Sequence, residues 1–462
     1  MLLIVVSVLF AGCSTYPERV QAVRQSNLAG DYAAVAVVAA AQAEDAPKDA
    51  LVWRLEAGAA LRAQGRLAES VQVLEEVEQL LRAEEARPDF SVGGETLAAF
   101  SNDYSAPYRA KPQDRIYAST YQALNRLELG QRDATRVSLA RLRFVQETFG
   151  DGKLYVRKSA SPPAAEGGRK YDLDRAARDP RTRAGLAAID ANLAGLGQGG
   201  SYDDAFSHWL QGMYLLRFGV DAADREKARK ELLAATQLNP QCAAFAADLR
   251  ECEGSATSAR VVYVVLETGL APEWFEQRVD IPVFLATGNL PYVSVALPAL
   301  RPSWSDYNYR LKVDGKDQVV GVASRPDALI ARHFAAAFPT VRARAFTSAG
   351  LKAAASWALN SAAQQHASNH GNDAGAGLVR LLTQVGTAAY TVGTTRADLR
   401  NWSGLPARFS LARLEAAVGA QLTVPGHPEA NLVLPAGRVL LVTLKSSAEN
   451  NFIQARCTIL AP

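Results

Sequence analysis

Between about Tyr16 and Leu249, apolar residues recur at three- and four-residue spacing, and glycines punctuate the periodic stretches. Alternation at period two is scarce there, so the pattern predicts α-helices joined by short turns. Three stretches share one plan. In Trp53–Leu81, Gly58 and Gly65 lie seven residues apart and Ser70, Leu74 and Val77 follow; in Ser207–Pro240, Gly212 and Gly219 keep that interval, and Ala228, Leu232, Ala235 and Pro240 follow. Tyr117–Thr148 is a looser copy built on Gly130, Ala134 and Leu139, and Leu28–Tyr32 is a partial one. The stretches Arg87–Asn102 and Tyr155–Asp179 interrupt the plan and read as inserts.

These stretches resemble tetratricopeptide repeats, in which small residues let two helices approach closely and a proline ends the second. Ala228, Ala235 and Pro240 fit the second helix best, after a turn, Val220–Lys227, that reads as longer than the repeat needs. Stacked helix hairpins would form a curved groove of the kind that holds peptides or partner proteins.

After Gly254–Ser255 the period changes. The β-branched run Arg260–Leu266 is followed by Val279–Phe284 and Tyr292–Leu297, and then by Tyr309–Val313 and Gln318–Val322 around the hairpin signal Asp314-Gly315. Strands resume at Arg408–Leu414, Gln421–Val424, Val439–Leu444 and Phe452–Ile459. Between the two groups, Asp327–Thr395 reads as helical, with a hairpin of Leu351–Gln365 and Gly377–Tyr390 around a polar turn. Lys352, Arg380 and that turn break any apolar run long enough to span a bilayer. The expected fold class is α+β: a helical solenoid over 13–254, then a sandwich-like β-rich domain over 255–462 with a helical insertion at about 327–395.

Composition adds exclusions. With 50 Lys+Arg against 47 Asp+Glu the formal net charge is only +3, which argues against a dedicated nucleic-acid partner. The basic excess falls in the C-terminal half, an asymmetry compatible with docking of the two halves.

The chain start changes the picture more. Residues 1–12 (MLLIVVSVLFAG) are too short an apolar run to cross a membrane but suit a signal-peptide core. The word Leu9-Phe10-Ala11-Gly12-Cys13 resembles a bacterial lipobox, which implies acylation of Cys13. Several acyl chains on one residue would anchor the body stably. Ser14, in place of an aspartate, resembles the sorting pattern for the outer membrane, with the body facing the periplasm.

Candidate chemistry is sparse. His366 and His370 stand at i, i+4, but Ala367, Ser368 and Asn369 between them lack the glutamate of a zincin, so no metal site is expected. No GxSxG elbow, P-loop or dinucleotide fingerprint occurs, and neither catalytic residues nor a cofactor are assigned. Cys242 and Cys252 read as ends of one helix about 15 Å apart, too far for a disulfide, so buried free thiols are expected; Cys457 lies in a strand. The word Arg396–Pro406 is the most distinctive in the C-terminal half. It reads as a helix end on which Asp398 and Arg400 do not face each other, followed by Trp402. Asp398, Arg400 and Trp402 are candidate contacts for a partner or ligand, with a structural corner as the competing reading.

That word, the lipobox, Leu55-Glu56-Ala57-Gly58, Ser101-Asn102-Asp103, Tyr121-Gln122-Ala123-Leu124 and the Gly130 turn together resemble an uncharacterised family of bacterial tetratricopeptide-bearing lipoproteins. The resemblance implies an envelope protein and supplies no catalytic residues. The expected function is a non-enzymatic scaffold whose partners are envelope proteins or peptides. Two other readings stay open: a cell-wall ligand-binding or hydrolytic module with its site between the halves, and a structural subunit of a secretion or surface-fibre assembly.

Overall fold

The computed structural model describes residues 16–86, 107–149, 172–197, 202–254, 258–284, 292–304, 307–369, 396–449 and 451–462, with the side chains of 149 and 351–369 outside that set. Cys13, His370 and the expected helix Gly377–Tyr390 lie outside the described residues. The molecule is α+β.

The first part is helical, as its period predicts. It comprises α1 (Tyr16–Leu28), α2 (Tyr32–Asp45), α3 (Ala50–Ala63), α4 (Leu67–Glu85), α5 (Pro112–Glu128), α6 (Arg132–Phe149), α7 (Leu173–Arg178), α8 (Pro180–Ala194), α9 (Ala205–Phe218), α10 (Ala222–Leu238) and α11 (Ala243–Glu253). Helices α3/α4, α5/α6 and α9/α10 pack as consecutive pairs. Small residues set their spacing: a Cβ built on Gly58 would come within 2.9 Å of Leu74, and one on Gly212 within 2.6 Å of Leu232. Gly65 and Gly130 close two of the turns at φ +78° and +72°, where a side chain would be strained.

One expectation needs correction here. The turn before α10 is not long, because Asp221 caps the helix by accepting from Asp224 N and the helical residues begin at Ala222. Part of the expected insert Tyr155–Asp179 is itself helical, namely α7.

The second part contains β1 (Val261–Thr268), β2 (Glu273–Pro282), β3 (Tyr292–Arg301), β4 (Leu311–Val313), β5 (Lys316–Gln318), β6 (Gly321–Ser324), α12 (Pro326–Asn369), β7 (Arg408–Leu414), β8 (Gln421–Thr423), β9 (Leu432–Val433), β10 (Val439–Ser446) and β11 (Gln454–Ala461). Five strands form a sheet in the order β11-β10-β1-β7-β6, with β1 and β10 parallel and the other neighbours antiparallel. A small sheet runs β5-β4-β8-β9, and β2-β3 is a separate hairpin. Gln318–Val322, expected as one strand, is divided between β5 and β6, which belong to different sheets; the chain crosses over at the exposed Val319. The residues read as the first helix of a hairpin, Leu351–Gln365, belong to a single 44-residue helix that contains Pro339.

The period-two pattern of β1 explains the layering. Val261, Tyr263 and Val265 enter a core shared with the helices, while Val262, Val264 and Leu266 enter a second core with Leu311 and Leu422 of the small sheet. The larger sheet is thus the middle of three layers, rather than half of a free-standing sandwich. The helix-side core runs without a break from Tyr16 to Leu460, so it crosses the change of period at Gly254.

Candidate functional site

Ion pairs are buried between the helices and the sheet, within a largely apolar interior. Arg62 of α3 meets Glu128 of α5 at 2.8 Å and Glu267 of β1 at 3.5 Å. Glu267 also meets Lys445 of β10 at 3.1 Å and accepts from the Tyr121 hydroxyl at 2.7 Å, while Arg456 of β11 holds Glu128 at 2.8 Å. Burial would raise both carboxyls, but Arg62 with its partner cations holds each below the usual carboxylate range. A second knot joins α11 to the sheet. Asp248 accepts from Trp209 Nε1 at 2.8 Å, the Tyr263 hydroxyl at 2.8 Å and Arg413 Nε at 2.9 Å. Glu251, paired with Arg217 and Arg413, is driven down to about 2 against the opposing effect of burial.

The word containing Asp398, Arg400 and Trp402 lies in a third knot. Residues 396–402 are not helical, so positions two apart can meet, which corrects the expectation that they could not. Arg400 donates to both oxygens of Asp398 at 2.9 and 2.7 Å and reaches Asp49 at 2.8 Å. Lys111 Nζ donates to the Arg400 carbonyl and stands 3.9 Å from the centre of the Trp274 ring. Burial pulls that amine down to about 8, against the pull of Asp398 and Asp114. Trp402 packs edge-on against Tyr121, with ring centres 5.8 Å apart. Asp398, Arg400 and Trp402 are 4%, 3% and 1% exposed, so the expectation of an outside contact is corrected: they build a corner of the fold.

Cys242, Cys252 and Cys457 are free thiols, and burial pushes Cys242 up to about 11. Cys242 caps α11 and Cys252 lies near its end, as the single-helix reading requires. His366 falls within α12. Among the described residues, no group of histidine, cysteine and carboxylate side chains could hold a metal ion. No described helix is long and apolar enough to cross a membrane.

Two of the concavities among the described residues bear on binding. One, of about 490 Å³, lies on the seam between helices and sheet, lined by Asp203, Asn239, Ser324 and Arg325 among others. At its floor Tyr117 donates to Asp204 at 3.1 Å, and Ser324 bonds to both. Asp204 caps α9 by accepting from Ser207 N at 2.8 Å; its carboxyl is raised by burial.

The other is a groove of about 180 Å³ between α6, α9 and α10. Its apolar lining is Leu139, Ala140 and Leu215 with the Tyr214 ring, and its rim carries Arg136, Arg143 and Lys227. Asp224 and Glu231 lie low in it and are used internally. Asp224 accepts from Arg136 and from Val220 N, and Glu231 holds His208 at 2.6 Å. His208 also reaches Asp203 at 2.8 Å, so one imidazole links the groove to the seam cleft. Burial alone would lower His208, but these two carboxylates hold it up at about 10 and it stays charged.

Sequence reasoning did not single out the rim residues, although Arg136, Ala140 and Arg143 stand at i, i+4 and i+7 on α6 and share one helix face. No family model, curated protein or solved structure matches the chain.

Proposed function

We propose that the protein is a non-enzymatic scaffold of the cell envelope, tethered by lipid on Cys13 to the periplasmic face of the outer membrane. In this reading it presents a tetratricopeptide-like helical surface to protein or peptide partners. The observation that carries the reading is the groove between α6, α9 and α10, where helix pairs leave an apolar floor under a charged rim. The small-residue contacts of Gly58 and Gly212 support the repeat-like description, and the lipobox word supports the tether. The buried ion pairs support the scaffold role, because they fix the groove on a body with one continuous core. Confinement to one membrane surface would raise the effective concentration of whatever the body holds.

The test separates the two parts. Cys13→Ala should shift the protein from membranes to the soluble fraction after a high-salt wash; retention of that variant would remove the tether. A photo-crosslinking side chain placed at the exposed Val137 should capture partners in intact cells. Ala140→Tyr, which fills the groove without changing its charge, should abolish those adducts; adducts that persist would remove the groove.

A second reading draws on the seam cleft, whose volume and buried Tyr117–Asp204–Ser324 cluster suit a small polar ligand. Native mass spectrometry of protein from its own host would show a bound small molecule if that reading holds.

A further inference from the structure

We infer that the α6/α9/α10 groove takes an acidic amphipathic helix from a partner protein. The inference rests on the scaffold reading and specifies the chemistry of its partner.

On the rim the cations are more exposed than the lining acids they pair with. The side chains of Arg136, Arg143 and Lys227 are 46%, 49% and 56% exposed, whereas those of Asp224 and Glu231 are 5% and 10% exposed. The two sunken acids are bound to Arg136, the Val220 amide and His208 and stand 3.8 Å from Lys227 and 3.9 Å from Arg143, respectively, but a docking helix would meet little of their surface. Two exposed acids stand near the rim: Glu147, paired with Arg143 at 2.7 Å, and Asp221, whose charge acts on Arg136. Glu147 lies four residues beyond Arg143, at the end of the lining stripe, so a docking carboxylate would compete with it for that guanidinium.

The apolar part has the matching form. Arg136, Leu139, Ala140 and Arg143 follow one another at three- and four-residue steps along α6, so floor and rim run parallel to the helix axis. On the adjoining ridge, Val137 and Phe144 are 63% and 47% exposed and lie seven residues, two helical turns, apart. A linear stripe of this kind accepts a helix that carries its own apolar stripe at i, i+3, i+4 and i+7. Cations on the rim favour glutamate or aspartate beside that stripe and disfavour lysine there, which supplies discrimination as well as attraction.

The probe is a fluorescent helical peptide of about 14 residues, ~21 Å long, with a leucine stripe flanked by glutamates. Its control carries lysine at every glutamate position. Titration with the full chain in detergent should show the glutamate peptide binding at least about tenfold more tightly, with affinity falling as salt rises. Arg143→Glu, at a half-exposed position, should weaken the glutamate peptide by about tenfold and strengthen the lysine one. Val137→Ser with Phe144→Ser should weaken both, while the circular dichroism of the protein stays unchanged.

Equal binding of the two peptides, or indifference to Arg143→Glu, overturns the inference. If neither peptide binds while Ala140→Tyr still abolishes crosslinking at Val137, the acidic helix is wrong and the scaffold stands. If neither peptide binds and the crosslinks also ignore Ala140→Tyr, both fall.

Discussion

Glu56 on α3 and Ser403 are 347 residues apart, yet the Glu56 carboxylate accepts from both the backbone N–H and the hydroxyl of Ser403, the latter at 2.7 Å. The Gly404 amide adds a third donor at 3.0 Å, and a Cβ on Gly404 would lie 2.6 Å from the same carboxylate. The corner that contains Trp402 is therefore moulded around one buried acid.

Burial raises Glu56 to about 7, and the Ser403 and Gly404 hydrogen bonds only partly offset it. A carboxyl whose folded pKa lies above its unfolded value contributes stability that is present below pH ~4.5 and is lost as pH rises through about 7. The stability advantage of wild type over Glu56→Gln should therefore shrink by roughly 2 kcal/mol between pH 5 and pH 8. Urea midpoints at the two pH values measure it. A gap that is constant, or that widens with pH, would contradict the raised acid.

How much of this was legible in the sequence differs by element. Helices α2 to α6 and α9 to α11 follow from period and turn glycines, and β1, β7 and β10 from β-branched runs with period-two burial. The division of Gln318–Val322 between two sheets was not legible, because a local apolar run carries no record of which partner strand it meets. No local pattern marks Arg62, Glu128, Glu267 and Lys445; only the docking of sheet on helices buries them. Asp398 and Arg400 misled for a simpler reason. The segment is irregular, so the rule that helical positions two apart look away from each other does not apply to it.

The Arg62 knot makes the two parts of the chain depend on one another. Replacing Arg62 by Met leaves Glu128 and Glu267 buried with less compensation, which should cost roughly 3–5 kcal/mol. A chain cut after Gly254 loses Glu267, Lys445 and Arg456 together with the sheet that covers Tyr121 and Phe206. It should bind a hydrophobic dye and lack a cooperative urea transition. A sharp transition from residues 13–254 alone would show that the helical part is an independent domain.

Close helix packing has its own signature at Gly212. A Cβ there meets Leu232 Cγ at 2.6 Å and the Ala228 carbonyl oxygen at 3.1 Å, so Gly212→Ala should destabilise by roughly 1–3 kcal/mol despite alanine's better helix propensity. Trimming the neighbour should return part of that loss. In a thermal double-mutant cycle, Gly212→Ala with Leu232→Ala should cost less than the sum of the single changes. Strict additivity would mean that the two residues do not touch.

His208 titrates in the opposite chemical sense but depends on pH in the same direction. Asp203 and Glu231 hold it at about 10, against an ordinary value of 6.5, and overcome the lowering that burial alone would impose. Its folded pKa is raised, so its contribution is fully present below pH 6.5 and disappears as pH climbs through about 10. His208→Gln should cost roughly 3 kcal/mol near pH 6 and progressively less toward pH 10. A second measurement separates charge from packing, because the ring resonances of His208 should report a cationic imidazole at pH 8, where an unperturbed histidine is neutral. A neutral ring at pH 8, or a variant whose deficit ignores pH, would mean that the two carboxylates do not hold the proton on the imidazole that links groove to cleft.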